Sequence, residues 1–200
     1  SGETYGDGGP DAWLMKTDEN GTLLWSQTYD LGIETRAYSF DQVGSEGYVL
    51  TGKVAISSIN EECFIIKTDT DGNLEWSNTF TTGYASWGES IVSKSYGGQW
   101  SYIICGTTQN TSNESKKAWL LKANQSGLIW SKTFGEDLDA FGYKVLRANH
   151  NGYWVLCNIS TSTSLIRTDR LGNEIGSSTF GNITERAYSM TLNYTNTEGD

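Results

Sequence analysis

One phrase, stated four times, constrains this chain more than any other feature. Residues 11–29 read DAWLMKTDENGTLLWSQTY, and residues 63–80 read CFIIKTDTDGNLEWSNTF. Residues 118–134 read AWLLKANQSGLIWSKTF, and a weaker copy at 164–180 reads SLIRTDRLGNEIGSSTF. Each copy is a short apolar run, a polar turn containing Gly, and a second run that closes on an aromatic residue. That pattern predicts a β-hairpin. A lone hairpin is marginal in water, so four copies must find partners in a repeat architecture.

A second unit alternates with the first. Residues 36–43 (RAYSFDQV) and 48–52 (YVLTG), joined by a Gly-containing turn, precede the second copy of the hairpin. The unit returns as 87–92 (WGESIV) with 102–106 (YIICG), and as 141–146 (FGYKVL) with 153–157 (YWVLC). It begins once more at 186–192 (RAYSMTL). The period is therefore four strands, here named A (the 36–43 type), B (48–52), C (the first run of the hairpin) and D (its second). Measured at the cation ending strand C, the spacing is 51 residues from Lys16 to Lys67, 55 to Lys122 and 45 to Arg167. Four-stranded units at this spacing predict propeller blades. Strands B and C are nearly continuous apolar runs, as strands covered on both faces require. Strand D alternates, with Trp25, Gln27 and Tyr29 on one face and Leu24, Ser26 and Thr28 on the other. No stretch carries a helical period, and the single Pro leaves the strands unbroken.

The pattern Trp-Leu-Leu-Lys-Thr-Asp-x-x-Gly-x-x-x-Trp-Ser-x-Thr-Phe, preceded by Gly-Tyr-Val-Leu-Thr-Gly, resembles the propeller repeats of secreted archaeal and bacterial surface proteins. These are similar to the quinoprotein-like β-propellers. The resemblance covers essentially the whole chain and implies an all-β propeller of four-stranded antiparallel blades. It implies no quinone site, because no motif here would hold one, and fold by itself does not carry function. The blades are expected at 36–80, 87–134 and 141–180, within one module spanning 1–200. A fourth is split, with strand A at 186–192 and strands C and D within 11–29. Its strand B is expected to be missing save for Ser1-Gly2, which matches the Thr51-Gly52 end of one, and 1–10 reads as a Gly-rich loop. Unpaired strand edges are a liability. The module is accordingly expected to belong to a larger propeller or to receive a donated strand, with a four-bladed ring closed by its own ends as the alternative.

Composition narrows the class. A net charge of −10 argues against nucleic acid as a partner, since a phosphate backbone needs a basic face. No run of about 18 apolar residues is present to span a membrane as a helix. The three cysteines, Cys63, Cys105 and Cys157, read as buried and unpaired. Cys105 and Cys157 are placed at the repeat position of Thr51, and equivalent positions of different repeats are expected to lie beyond disulfide reach. Seven Asn-X-Ser/Thr sequons occur, at Asn20, Asn110, Asn113, Asn124, Asn158, Asn182 and Asn193, about twice the number chance gives, in or beside expected loops. They point to a secreted, N-glycosylated chain.

Few residues suggest chemistry. His150, the one histidine, stands without partners in the repeat register and reads as a turn residue, so a Ser-His-Asp arrangement is rejected. The segment Asp69-Thr-Asp71-Gly-Asn73 resembles half of a calcium loop and makes Asp69, Asp71 and Asn73 the candidate metal ligands. The other three copies lack the second acid, and the Gly common to all four is the simpler turn explanation. The cations at Lys16, Lys67, Lys122 and Arg167 are expected to lie along neighbouring aromatic rings. The ladder of Trp13, Trp25, Trp76, Trp119 and Trp130 is expected to pack between blades.

The position opening strand A varies where the rest repeats: Arg36, Trp87, Phe141 and Arg186. In a propeller these four would meet at one mouth of the central channel, offering two guanidiniums and two rings to a glycan or small acidic ligand. The expectation is a non-catalytic, extracellular structural, adhesion or assembly module of a cell-surface glycoprotein, with no cofactor. Its partners would be other protein domains or copies of the same surface protein. Ligand binding at the axial mouth is the alternative, and an enzyme whose catalytic groups lie on further blades is a more distant one.

Overall fold

The computed structural model describes residues 2–6 and 9–182. Strands β1 (Gly2–Gly6), β2 (Gly9–Thr17) and β3 (Leu23–Tyr29) form a three-stranded antiparallel sheet. Three antiparallel meanders follow. The first is β4 (Glu34–Gln42), β5 (Tyr48–Ala55), β6 (Glu61–Thr68) and β7 (Leu74–Phe80). The second is β8 (Ala85–Tyr96), β9 (Gln99–Gln109), β10 (Lys117–Asn124) and β11 (Gly127–Phe134). The third is β12 (Ala140–Arg147), β13 (Tyr153–Ile159), β14 (Ser162–Thr168) and β15 (Glu174–Asn182). A single parallel bridge, Glu61 opposite Ala85, joins the first two meanders. No helix among the described residues is long and apolar enough to cross a membrane. The chain's one described helical element is a 3-10 turn at Asn149–Asn151, which contains His150.

The repeats keep register as well as sequence. In every C–D hairpin the ladder slips just past the cation, at Lys16/Thr17, Lys67/Thr68, Lys122/Ala123 and Arg167/Thr168, and the last hairpin slips a second time at Ser162/Thr163. Strand A carries its own bulge, between Ala37 and Ser39, Gly88 and Ser90, and Gly142 and Lys144. A bulge bends its strand and drives a carbonyl out of line. The consequence shows at Gly106, where a Cβ would sit 1.9 Å from the Trp87 carbonyl oxygen, so only glycine fits.

Two sequence expectations need correction. The Gly-rich opening is partly strand, not all loop. Gly2 lies opposite Trp13 just as Gly52 lies opposite Phe64 and Gly106 opposite Trp119. The first sheet therefore has its B-type strand, in the short form β1. Glycine's poor strand propensity hid it, and pairing with β2 supplies what propensity does not. The second correction concerns Cys157. Cys105 faces Leu120 as Thr51 faces Ile65, but Cys157 faces Ser164 and so stands one residue further on, in the register of Gly52 and Gly106. All three thiols are free and buried. Cys105 and Cys157 share one core cluster rather than lying in separate ones. Burial pushes Cys63 and Cys157 up to about 12 and raises Cys105 well above the usual thiol range, so all three are held as inert thiols.

Three apolar cores lie between consecutive sheets, and the two-residue period of a strand explains how one strand serves two of them. On β6, Phe64 and Ile66 pack back against Ala12 and Leu14 of β2, while Cys63 and Ile65 pack forward against Ile91, Ile104 and Trp119. On β10, Trp119 and Leu121 face back, and Ala118 and Leu120 face forward to Val145, Val155 and Ile166. The continuous apolar runs of strands B and C are thus two alternating faces, each covered. In the first sheet strand D (β3) has only one covered face, with Trp25 and Gln27 half-buried and Tyr29 buried while Leu24, Ser26 and Thr28 are exposed; the described side chains of β15 are all exposed.

The A-type strands β4, β8 and β12 come together at one acid. An Asp41 carboxylate oxygen on β4 accepts from the Ser93 amide (2.7 Å) and hydroxyl (2.8 Å) on β8. The same oxygen takes a bond from Arg147 Nη2 on β12 at 3.3 Å. One carboxylate ties three successive sheets.

Candidate functional site

The residues opening strand A are placed by the ladder just before its bulge. Arg36 pairs with Lys53, Trp87 with Thr107 and Phe141 with Asn158. Trp87 and Phe141 are brought together by a residue the repeat did not flag. Lys116 Nζ lies 6.0 Å from the Trp87 ring centroid and 5.5 Å from that of Phe141. Its backbone is pinned to the next sheet, since the Lys116 amide donates to Asp139 Oδ1 (2.8 Å) and its carbonyl accepts from the Ala140 amide (2.9 Å). Lys116 stands six residues ahead of Lys122, where the other repeats have Pro10, Glu61 and Thr161, so periodicity carried no signal for it.

Charges here come in opposite pairs. Arg36 Nε contacts Glu34 Oε2 at 3.3 Å, Lys53 pairs with Glu61, and Trp87 Nε1 donates to Glu89 Oε1 at 3.1 Å. A shallow cavity of about 140 Å³ lies among Tyr38, Lys53, Glu61, Trp87 and Glu89. Aromatic faces beside alternating donors and acceptors suit stacking and hydrogen bonding to a polar ring. The surroundings of Arg186 lie outside the described residues.

At the C–D turns an Asx cap recurs two residues past each cation. Asp18 Oδ1 accepts from the amides of Asn20 and Thr22 at 2.9 and 2.8 Å. Asp69 Oδ1 accepts from those of Asp71 and Asn73 at 2.9 and 2.8 Å, and its Oδ2 from Asn73 Nδ2 at 2.9 Å. Asp169 repeats the arrangement with Leu171 and Asn173, and Asn124 Oδ1 takes the Ser126 amide at 2.9 Å. Bonds from Asn73, first its side chain and then its amide, hold the Asp69 carboxyl below its ordinary value. Of the candidate calcium ligands, Asp69 and Asn73 thus bond to each other inside the turn, and no group of three or more His, Cys, Asp or Glu suited to a metal is found among the described residues. The cap itself was readable from the sequence as an Asp or Asn at a fixed offset from the cation.

These turns also dock. Gly72 has φ +81°, and a Cβ there would meet the Trp25 ring of the preceding sheet at 2.7 Å. Gly172, at φ +78°, would meet Trp130 at 2.5 Å. The Tyr29 hydroxyl donates to the Gly72 carbonyl at 2.7 Å, and burial pushes that phenol up to about 12.

The strand-C cations differ among themselves. Lys16 Nζ lies 5.9 Å from the Tyr48 ring, and the Arg167 guanidinium 5.7 Å from that of Trp154. Lys67 departs from the expectation: its side chain is 4% exposed, bonded to Glu75 Oε2 and to the carbonyls of Glu46 and Thr68, each at 2.7 Å. Of the tryptophans, Trp119 is buried in a core, and Trp25, Trp76 and Trp130 pack against one. Trp13 instead faces away from the β4–β7 sheet, its Nε1 donating to Ser26 Oγ at 2.8 Å. Of the sequons, Asn20, Asn110 and Asn113 are exposed, while Asn124 and Asn158 are half-buried. The Asn182 side chain and Asn193 lie outside the described residues.

Fold and site together define an all-β protein of repeated antiparallel sheets, whose recurring polar residues serve turns and the joints between sheets. No family model matches the chain, and no curated protein matches it.

Proposed function

We propose that the chain is a β-propeller module of the quinoprotein-like repeat type, acting without catalysis as a structural and assembly unit of an extracellular cell-surface glycoprotein. The observation that carries this reading is what the repeat leaves uncovered. Leu14 of β2 packs forward on the next sheet, while Met15 on the opposite face is 46% exposed and no described element covers it. In the following sheet the equivalent of Met15, Ile66, is buried against its predecessor. At the far end, Trp154 and Leu165 of β13 and β14 stand half-buried on the face turned away from the last core. The two faces are the leading and trailing halves of the joint made three times within the molecule, so each accepts a further sheet of the same repeat. Asp41, which ties β4, β8 and β12, supports a radial arrangement in which A-type strands meet near one axis.

A Met15→Glu variant tests it. On a free face the change shifts stability by at most about 0.5 kcal/mol and leaves the sedimentation coefficient alone. A docked face instead lowers the melting temperature where the partner sheet is the chain's own, or lowers the sedimentation coefficient where another copy supplies it. No change in either quantity removes the proposal. Binding of a neutral glycan at the strand-A mouth is a second reading, favoured by the Trp87 and Phe141 rings that flank Lys116.

A further inference from the structure

Three grooves between consecutive sheets, at the end where the C–D turns lie, share one frame. Trp25 meets Tyr48, Trp76 meets Tyr102 and Trp130 meets Tyr153, with ring centroids 5.8, 5.6 and 6.1 Å apart. Each groove also receives a strand-C lysine: Lys16, Lys67 or Lys122. The internal repeat therefore supplies its own controls, and the third groove differs from the second in the charge of its lining.

In the second groove Lys67 is matched by carboxylates, with Glu46 and Glu75 both lining the space. In the third groove the residue preceding the paired Trp is Ile129 instead of Glu75. Three positions past the cation, Arg170 stands where the second groove has Gln125. Lys94 follows Ser93, which pairs with Tyr102 as Gln42 pairs with Tyr48, so it takes the place of the fully buried Val43. The outcome is a cavity of about 240 Å³ walled by Trp130, Tyr153, Ile129 and Leu171, with Lys94, Lys122 and Arg170 around it and no carboxylate in its lining.

Neighbouring acids are engaged elsewhere. Asp169 is bonded to its own turn, and Asp41 holds Arg147. Lys94 Nζ donates to Asn151 Oδ1 at 2.7 Å, whereas the Lys122 ammonium makes no hydrogen bond or ion pair among the described residues. Burial, then the charges of Lys122 and Arg147, lower the Lys94 ammonium from its usual value. Burial, then Arg170, does the same to Lys122. In a chain of net charge −10, cations gathered at their mutual expense around an apolar cavity are arranged for an anion.

We propose that this groove is a binding site for a small organic anion, a carboxylate carried on a six-membered ring, with the ring against Trp130 and Tyr153 and the carboxylate between Lys122 and Arg170. The cavity holds the volume share of about eight liquid waters, which matches a ring with its acid group and little more. Its walls are apolar, so a bare inorganic ion would leave them unused. The inference does not depend on the assembly reading.

The test titrates benzoate and glucuronate separately into the 200-residue chain, following tryptophan fluorescence and melting temperature. Acetate, sulfate and glucose serve as controls at matched ionic strength. At least one ring carboxylate saturates the signal with affinity about tenfold or more above acetate and sulfate, and which one does so separates an aromatic from a sugar source. Arg170→Gln and Lys122→Met each weaken that binding about tenfold, the loss expected for one charge-assisted contact. Without ligand, Lys122→Met melts higher than the parent, because a lysine whose folded-state pKa is lowered carries its charge less favourably when folded. Absence of binding by both ring carboxylates overturns the proposal, as does equal binding of acetate or sulfate. Undiminished binding by the variants overturns it as well. Arg170 lies on an exposed turn, so its variant keeps the test open if Lys122→Met does not fold.

Discussion

Asp41 shows how much one side chain can connect. Its carboxylate accepts two bonds from Ser93 and one from Arg147, joining strands of three sheets. Charge-assisted bonds of this kind are each worth about 1.5–3 kcal/mol when a partner is lost. Asp41→Ala is therefore expected to destabilise the chain by about 2–3 kcal/mol, and Arg147→Ala by less, because Arg147 is half exposed and its single contact is longer. Denaturant unfolding of the two variants and their double mutant measures both terms. A double mutant no worse than Asp41→Ala would show that Arg147 acts through the acid. The same contrast separates Lys67 from Lys122, which share a sequence position. Glu75 before the Trp paired with one, and Ile129 before the Trp paired with the other, make the first a buried joint and leave the second uncompensated.

At the scale of the element, the hairpin is held by devices that act together: an Asx cap, a glycine in the left-handed region and a one-residue slip after the cation. Beside the strand-A bulge a carbonyl of strand A closes on the facing strand in the first two meanders, where Gly52 and Gly106 admit it, while the third has Cys157 in that register. Gly106→Ala would place a methyl 1.9 Å from the Trp87 carbonyl oxygen, and the backbone has to move to admit it. A loss of about 2–3 kcal/mol is expected, as for overpacked interiors. Gly176→Ala, on an exposed strand with no atom within 4 Å of the added carbon, should change stability by less than about 0.5 kcal/mol. Comparing the two midpoints in urea distinguishes close approach from a general intolerance of strand glycine replacement.

Across the whole molecule, the three cores lie between sheets instead of at one centre, so stability is distributed as in a linear array of repeats. The β4–β7 and β8–β11 sheets are covered on both faces. The β1–β3 and β12–β15 sheets have one covered face each among the described residues. Amide exchange in the isolated chain should accordingly be slowest in β5, β6, β9 and β10, and faster in β2 and β14. Equal protection of β2 and β6 would mean that the Trp13 and Met15 face is already covered. This makes exchange a direct readout of closure.

The repeat by itself determined the strand types, their order and which runs would be covered on both faces, because a continuous or an alternating apolar pattern is a local property that pairing only reads out. It also marked the turn glycines and Trp25, Trp76, Trp119 and Trp130 as packing residues. Tertiary structure decided the rest. β1 was legible only at Gly2, matched to Gly52, because the rest of the opening reads as a Gly-rich loop and its register exists only against β2. Cys157 could not be placed from its own strand, since register is a relation between two strands. Lys116 joined Trp87 and Phe141 from a position where the other repeats carry no cation. The equivalence of Lys16, Lys67, Lys122 and Arg167 also dissolved once the facing residues were known. Charge compensation is a matter of distance in space, and identical positions in a repeat acquire different chemistry from the neighbours that folding brings to them.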